Sequence, residues 1–265
     1  MIRLAAFDID RTLIPPETGT LVAETLMALQ ELKKRGIAIA IASGRQLQHL
    51  PSVLLEVGFD YYILSNGACI ADHEGNVIHH EAINTDTVRQ LAEDVLRRDL
   101  PMEIRYTRGF FSVNPSQRFE DYLGLEISED IRAELMAPKP ITPGPEDVPI
   151  ACVAVILPEE HAWFERKYPQ MDFLSIFGTP LCDINKSGVS KASGLKSICE
   201  RMGISLAETI AFGDDRNDLE MIRSAGIGVA MGEAIDSVKS AADYVTDFSR
   251  NLGVVKGLRH FQLID

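Results

Sequence analysis

Three short apolar runs in this 265-residue chain each stop at a cluster of polar side chains, and helix-patterned segments lie between the runs. Residues 2–7 lead into Asp8-Ile9-Asp10-Arg11-Thr12. Ile37 to Ala42 leads into Ser43-Gly44-Arg45, and Thr209–Phe212 leads into Gly213-Asp214-Asp215-Arg216-Asn217-Asp218. The Ile/Ala density of 37–42 marks a strand buried on both faces. Val22, Leu26, Leu29 and Leu32 recur at helical spacing, and Gly36 follows as a stop. Leu47, Leu50, Leu54 and Val57 predict a second helix before Gly58, and Tyr61–Leu64 a further strand ending at Ser65-Asn66-Gly67. Strands separated by helices imply parallel βαβ units, so the chain is expected to be α/β.

The rhythm changes near residue 83. Val88, Leu91 and Val95 suit a helix, while Met102–Tyr106 and Phe110–Val113 flank Thr-Arg-Gly and read as a hairpin. A weakly patterned stretch, 116–136, reads as helical, and 138–149 holds five prolines and reads as a loop. Strands are expected at Ile150–Leu157, Phe173–Phe177 and Leu181–Ile184, with a helix around 159–168. Hairpins mixed with helices describe an α+β module. The βα pattern returns with a helix through Leu195, Ile198 and Met202 that stops at Gly203, followed by strands at Thr209–Phe212, Ile227–Ala230 and Tyr244–Val245. A parallel-sheet core built from 1–82 and 187–265, with 83–186 inserted as a second domain, accounts for both patterns.

Composition limits the partners. A net charge of −13 and a pI near 4.9 disfavour nucleic acid and anionic membranes. A small phosphorylated molecule remains compatible, because a bound cation and a few local bases reverse the sign within a pocket. Hydrophobic residues at 46% supply a sizeable core. Cys69, Cys152, Cys182 and Cys199 form no Cys-x-x-Cys pair and sit in apolar surroundings, as buried thiols do in a reducing cytoplasm. The N-terminal stretch is too short for a signal-peptide core, and no apolar run reaches membrane-span length.

Ligands of an open parallel sheet bind beyond the carboxyl ends of its strands, which is where the three polar clusters fall. Asp8, Asp10, Asp214 and Asp218 would crowd carboxylates together, an unfavourable arrangement unless a cation is held there. Magnesium suits a few carboxylates completed by water and phosphate oxygens. In an extended Asp8-Ile9-Asp10 both acids face the same way, so one can attack phosphorus while the other handles protons. Thr12, Ser43 and a lysine can hold phosphate oxygens.

These residues resemble the motifs of the haloacid dehalogenase superfamily. Asp8-Ile9-Asp10-Arg11-Thr12-Leu13 is similar to its first motif, Ser43-Gly44-Arg45 to the second, and Lys191 in Gly188-Val189-Ser190-Lys191 to the third. Gly213-Asp214-Asp215-Arg216-Asn217-Asp218 is similar to the fourth. The likeness is closest to the Cof-type sugar phosphatases, through Asn66-Gly67-Ala68 and Gly228-Val229-Ala230-Met231 as well. It implies a Rossmann-like core with a large inserted α+β cap that sets specificity. It further implies Asp8 as nucleophile and Asp10 as acid and base. Magnesium would be held by Asp8, the Asp10 carbonyl and Asp214, with Asp218 supporting them. Thr12, Ser43, Gly44, Lys191 and Asn217 are expected to bind phosphate, and Arg45 and Asn66 to meet the substrate. Arg11 stands where the family has glycine.

The expected activity is magnesium-dependent hydrolysis of a small phosphorylated metabolite, such as a sugar phosphate, by a cytoplasmic monomer. A cap that closes over such a core excludes water and macromolecules. A phosphomutase would use the same aspartate pair, and a non-enzymatic binding protein on a retired enzyme fold would have lost one of Asp8, Asp10, Lys191 or Asp214, all of which are present. Within the cap, Arg105, Asp183 and Asn185 are candidates for specificity, and equally fit solvated strand positions.

Overall fold

The computed structural model describes residues 1–114, 119–122 and 140–265. Contacts divide the chain into two units, Met1–Ile78 with Ser190–Asp265, and His79–Val189. The sequence-based boundaries at 82/83 and 186/187 fall inside the second unit, because the segments on either side of it start before and end after the change in hydrophobic pattern.

One sheet is built from β1 (Leu4–Phe7), β2 (Ala38–Ala42), β3 (Tyr61–Leu64), β4 (Cys69–Asp72), β5 (Val77–His80), β11 (Thr209–Gly213), β12 (Ile227–Ala230) and β13 (Tyr244–Val245), all of the first unit except the last two residues of β5. Their order is β13-β12-β11-β1-β2-β3-β4-β5. From β13 to β3 the pairing is parallel, and β4 turns back antiparallel on β3. β1 therefore lies between a strand from each half of the unit, at the point where strand order reverses. Its four residues Leu4-Ala5-Ala6-Phe7 are all buried, and Phe7 stacks on Phe212 with ring centroids 5.2 Å apart. Central strands with both faces covered select this unbroken apolar composition.

Helix α1 (Ala23–Lys34) buries Ala28, Leu29 and Leu32 and is followed by Gly36 at φ +76°. The second expected helix is split. Leu47–His49 is a single 3-10 turn, and α2 covers only Ser52–Val57. Pro51 lacks an N–H to continue the ladder and holds Leu50 extended at ψ 136°. The β4–β5 hairpin has no counterpart in the sequence-based elements. Asp72 Oδ1 closes its turn by accepting from Glu74 N and Asn76 N, at 3.0 and 2.9 Å.

The second unit is built on a sheet ordered β7-β6-β8-β10-β9, from β6 (Met102–Tyr106), β7 (Gly109–Val113), β8 (Pro149–Val155), β9 (Met171–Ser175) and β10 (Leu181–Lys186). Helices α3 (Thr85–Leu96) and α4 (His161–Lys167) join one face through a core that includes Leu91, Val95, Phe164 and Ile184. Asp94, buried at the foot of α3, accepts hydrogen bonds from Arg97, Lys167 and Tyr168 and ties the two helices together. The helix expected over 116–136 falls mainly outside the described residues; within them Phe119–Tyr122 is a 3-10 turn. Among the described residues no helix is long and apolar enough to cross a membrane.

Candidate active site

The strand register brings the three polar clusters together. Phe7 aligns with both Phe212 and Ile41. Asp8 follows Phe7 directly, and Ser43 and Asp214 each lie two residues beyond the aligned position, so all three leave the sheet at one carboxyl edge. Lys191 arrives from elsewhere, as the first residue of α5 (Lys191–Met202). The reciprocal bonds between Ser190 and Ser193 cap that helix start.

Lys191 is fully buried, and its Nζ donates to Asp8 Oδ1 and Asp218 Oδ1 at 2.6 Å each. A buried ammonium needs such partners, since desolvation alone would drive it neutral. Desolvation does oppose its charge here, but the two carboxylates outweigh it and hold the lysine above its ordinary range. Asp218 Oδ2 accepts from the backbone N–H groups of Asp214 and Asp215 at 2.9 and 3.1 Å. With both oxygens engaged, Asp218 shapes the loop and holds Lys191. Gly213 makes room for it: a Cβ there would lie 2.4 Å from Asp218 Cγ. Because Asp218 is pinned on three sides it cannot yield, so Gly213→Ala is expected to cost about 1–3 kcal/mol of stability, the usual range for overpacking. Urea denaturation of the two proteins checks this.

Asp8, Asp214 and Asp218 each place a carboxylate oxygen within 4.8 Å of the others. Asp214 is 2% exposed, and its Oδ2 has no hydrogen-bond partner, as is also true of the buried Thr12 Oγ1. Hard oxygen donors, one of them orphaned, fit a magnesium ion. Burial, reinforced by the neighbouring acids, pushes Asp8 up to about 7 and Asp214 to about 9, against the ordinary 3.8. Between pH of about 4 and 9 the folded metal-free protein thus keeps protons that the unfolded chain has lost, and its stability falls as pH rises through that window. A bound cation must displace the same protons. The thermal stabilisation given by saturating magnesium is therefore expected to be larger near pH 8.5 than near pH 5.5. A scanning-fluorimetry series that shows no increase with pH would contradict this arrangement.

The other expected residues are placed as follows. Asp10 is held by Arg45, whose Nε and Nη2 donate to its two oxygens at 3.2 and 2.9 Å. Arg45 Nη1 also donates to the His49 carbonyl, and the Arg45 backbone N–H to Ser43 Oγ at 3.1 Å. Arg45, expected at the substrate, grips the acid here, a pairing across 35 positions with no local signal in the sequence. Ser43 is buried beside it, with Gly44 between the two. Asn66, also expected at the substrate, is 1% exposed and accepts from Asn217 Nδ2 at 3.0 Å. It lies in a turn with φ +47°, +55° and +98° at Ser65, Asn66 and Gly67. In that place it braces Asn217. Asn217 in turn has one amide hydrogen left for an anion. Gly67 cannot carry a side chain, as a Cβ would sit 2.1 Å from the Ser190 carbonyl oxygen.

In the second unit, Arg105 Nε donates to Glu103 at 2.8 Å and its Nη1 lies 3.7 Å from Asp183. Arg105 and Asn185 both pair with Ala151 across the sheet and so share a face.

The model of the haloacid dehalogenase-like hydrolases matches residues 5–258. Over 270 residues the chain is 28% identical to the 5-amino-6-(5-phospho-D-ribitylamino)uracil phosphatase YcsE of Bacillus subtilis (strain 168), spanning 99% of this chain and 96% of that protein. Among solved structures, the HAD subclass IIB sugar phosphatase BT4131 superposes with a TM-score of 0.84 at 30% identity, over 99% of this chain and 100% of its own. The phosphatase BT1666 from Bacteroides thetaiotaomicron does so with a TM-score of 0.82 at 28% identity, over 100% and 96%.

Proposed function

Since the chain belongs to the haloacid dehalogenase-like hydrolase family and is a phosphoric monoester hydrolase, we propose that it cleaves a small phosphorylated metabolite with magnesium, through a phosphoryl group carried on Asp8. The observation that carries this reading is the pairing of Asp8 with fully buried Lys191 at 2.6 Å, next to the orphaned Asp214 oxygen. Asp8, Asp214 and the Asp10 carbonyl would hold the cation, with Asp218 fixing the loop around it. When bound, the cation neutralises charge on the phosphoryl oxygens.

The protein's own groups divide the remaining work. Asp8 attacks phosphorus, forming one O–P bond as the ester O–P bond breaks, and Asp10 gives its proton to the leaving oxygen. Asp10 then takes a proton from water, whose oxygen bonds phosphorus while the Asp8–phosphorus bond breaks and inorganic phosphate departs. Lys191 fixes the direction of attack, and Thr12 Oγ1 and Ser43 can donate to phosphoryl oxygens. Arg45 has to release Asp10 for the first proton transfer, and its half-buried side chain has solvent to turn toward.

The relatives named for a ribitylamino-pyrimidine phosphate and a sugar phosphate support a polyol or sugar phosphate as the substrate. Four buried free cysteines, three of them pushed by burial to about 11 or 12, support a reducing, cytoplasmic setting. The test is phosphate release across a panel of phosphorylated metabolites. Magnesium-dependent release, stopped by a chelator, is expected; no hydrolysis of any ester, a generic aryl phosphate included, would overturn the reading. Isomerisation of a sugar phosphate without phosphate release would identify a mutase instead. Asp10→Asn is expected to slow kcat by roughly 100- to 10,000-fold, the range for lost general acid–base help. Steady-state kinetics at unchanged magnesium occupancy measures it.

A further inference from the structure

Arg11 occupies a position where its backbone does not want a side chain. The turn after β1 is closed by Thr12 N–H and Ile14 N–H to the Ile9 carbonyl, at 3.2 and 2.9 Å, and by Arg11 N–H to the Ile14 carbonyl at 3.0 Å. Closure puts Arg11 at φ +60°, a conformation that glycine adopts freely and an L side chain resists. None of these three bonds uses the Arg11 side chain, so the turn itself gives no reason for one. A strained residue beside a reactive centre points to a role for what it carries.

The guanidinium supplies that role. Arg11 Nη1 lies 3.9 Å from Asp214 Oδ2, the buried oxygen that has no hydrogen-bond partner. The other two carboxylates of the cluster share a hydrogen-bonded cation, Lys191, whereas Asp214 has none. At 3.9 Å the contact with Arg11 is Coulombic, too long for a hydrogen bond. The Arg11 side chain is 36% exposed while Asp214 is 2% exposed, so the arginine reaches inward from the mouth of the site and has solvent behind it.

We propose that Arg11 is a removable cation of the metal site, which stands against Asp214 in the metal-free protein and by its own positive charge weakens the affinity of the site for a divalent cation. This rests on the magnesium reading above. Arg11 would give up Asp214 by turning toward the solvent it already contacts. The site would then hold its metal less tightly than the same carboxylates with a neutral residue at position 11.

Titration calorimetry of metal-stripped protein with magnesium chloride alone tests this, in wild type, Arg11→Gln, Arg11→Gly and Arg11→Lys. Gln keeps a side chain at the strained position and removes only the charge, whereas Gly removes both. Magnesium is expected to bind Arg11→Gln and Arg11→Gly roughly 3- to 10-fold more tightly than wild type, the scale of a partly screened contact with a doubly charged ion. Arg11→Lys is expected within about 2-fold of wild type, and added monovalent salt should narrow the gap between wild type and Arg11→Gln. Equal or weaker binding by the Gln and Gly variants would overturn the proposal while leaving the magnesium site intact. Absence of magnesium binding in wild type would instead remove the metal site, and the role of Arg11 with it.

Discussion

Asp8→Asn is expected to abolish phosphate release, lowering kcat by about 10,000-fold or more, as loss of a covalent nucleophile does. The amide is a poor nucleophile and lacks the charge that a cation needs. It keeps an oxygen at the position of Oδ1, so Lys191 retains an acceptor there and the fold should survive. A variant with unaltered circular dichroism and thermal midpoint but no burst of phosphate would give that result. Wild-type turnover in the same variant would remove Asp8 from the reaction.

Lys191→Met is expected to affect both stability and rate. Lys191 is 0% exposed and bonded to two carboxylates, so its removal leaves buried acids without their cation. Breaking a buried ion pair from one side costs about 3–5 kcal/mol. The cost should depend on pH in a defined direction. Without the ammonium, Asp8 loses the cation that lowers it, and burial holds its proton beyond the value of about 7 that it has beside Lys191. The variant therefore loses stability relative to wild type as pH rises above about 7, where wild type has released the Asp8 proton and the variant has not, while from about 4 to 7 the gap between them stays level. Urea midpoints measured along that range provide the check, and equal stability of the two proteins at neutral pH would refute the buried-cation role. The rate should fall as well, by roughly 100- to 1,000-fold, the usual loss when a preorganised donor to a developing anion is removed.

What the sequence made legible was the part written in short-range patterns. β3 and β12 begin and end where their apolar runs do, because central strands buried on both faces admit no polar residue until the chain leaves the sheet. Three of the four motifs were legible for a related reason, as polar residues abutting such runs, whereas Lys191 stands at a helix start and was legible through the resemblance alone. Where local rules compete, the reading erred. The leucines at 47, 50 and 54 carry a helical period, but Pro51 breaks the backbone between them. β5 buries little of itself, with Val77 40% exposed, so it lacks the alternation that marks a half-buried strand. The side-chain pairs of the site leave no local trace. Arg45 with Asp10 and Asn217 with Asn66 are joined only by the fold, and the second pair spans 151 positions. Only the sheet order shows which of the polar groups hold one another and which are left to act.

The close approach of Gly67 to Ser190 has a further consequence. Ser190 is the first residue of the returning segment of the core, and its carbonyl lies against the Gly67 backbone with no room for a methyl group. The chain is thus anchored at its point of re-entry, one residue before Lys191. Whatever the length or history of the insert that precedes it, the returning chain meets the same backbone lock. Evolution could exchange one insert for another, and an engineer could graft a relative's, with Lys191 still delivered to the same place.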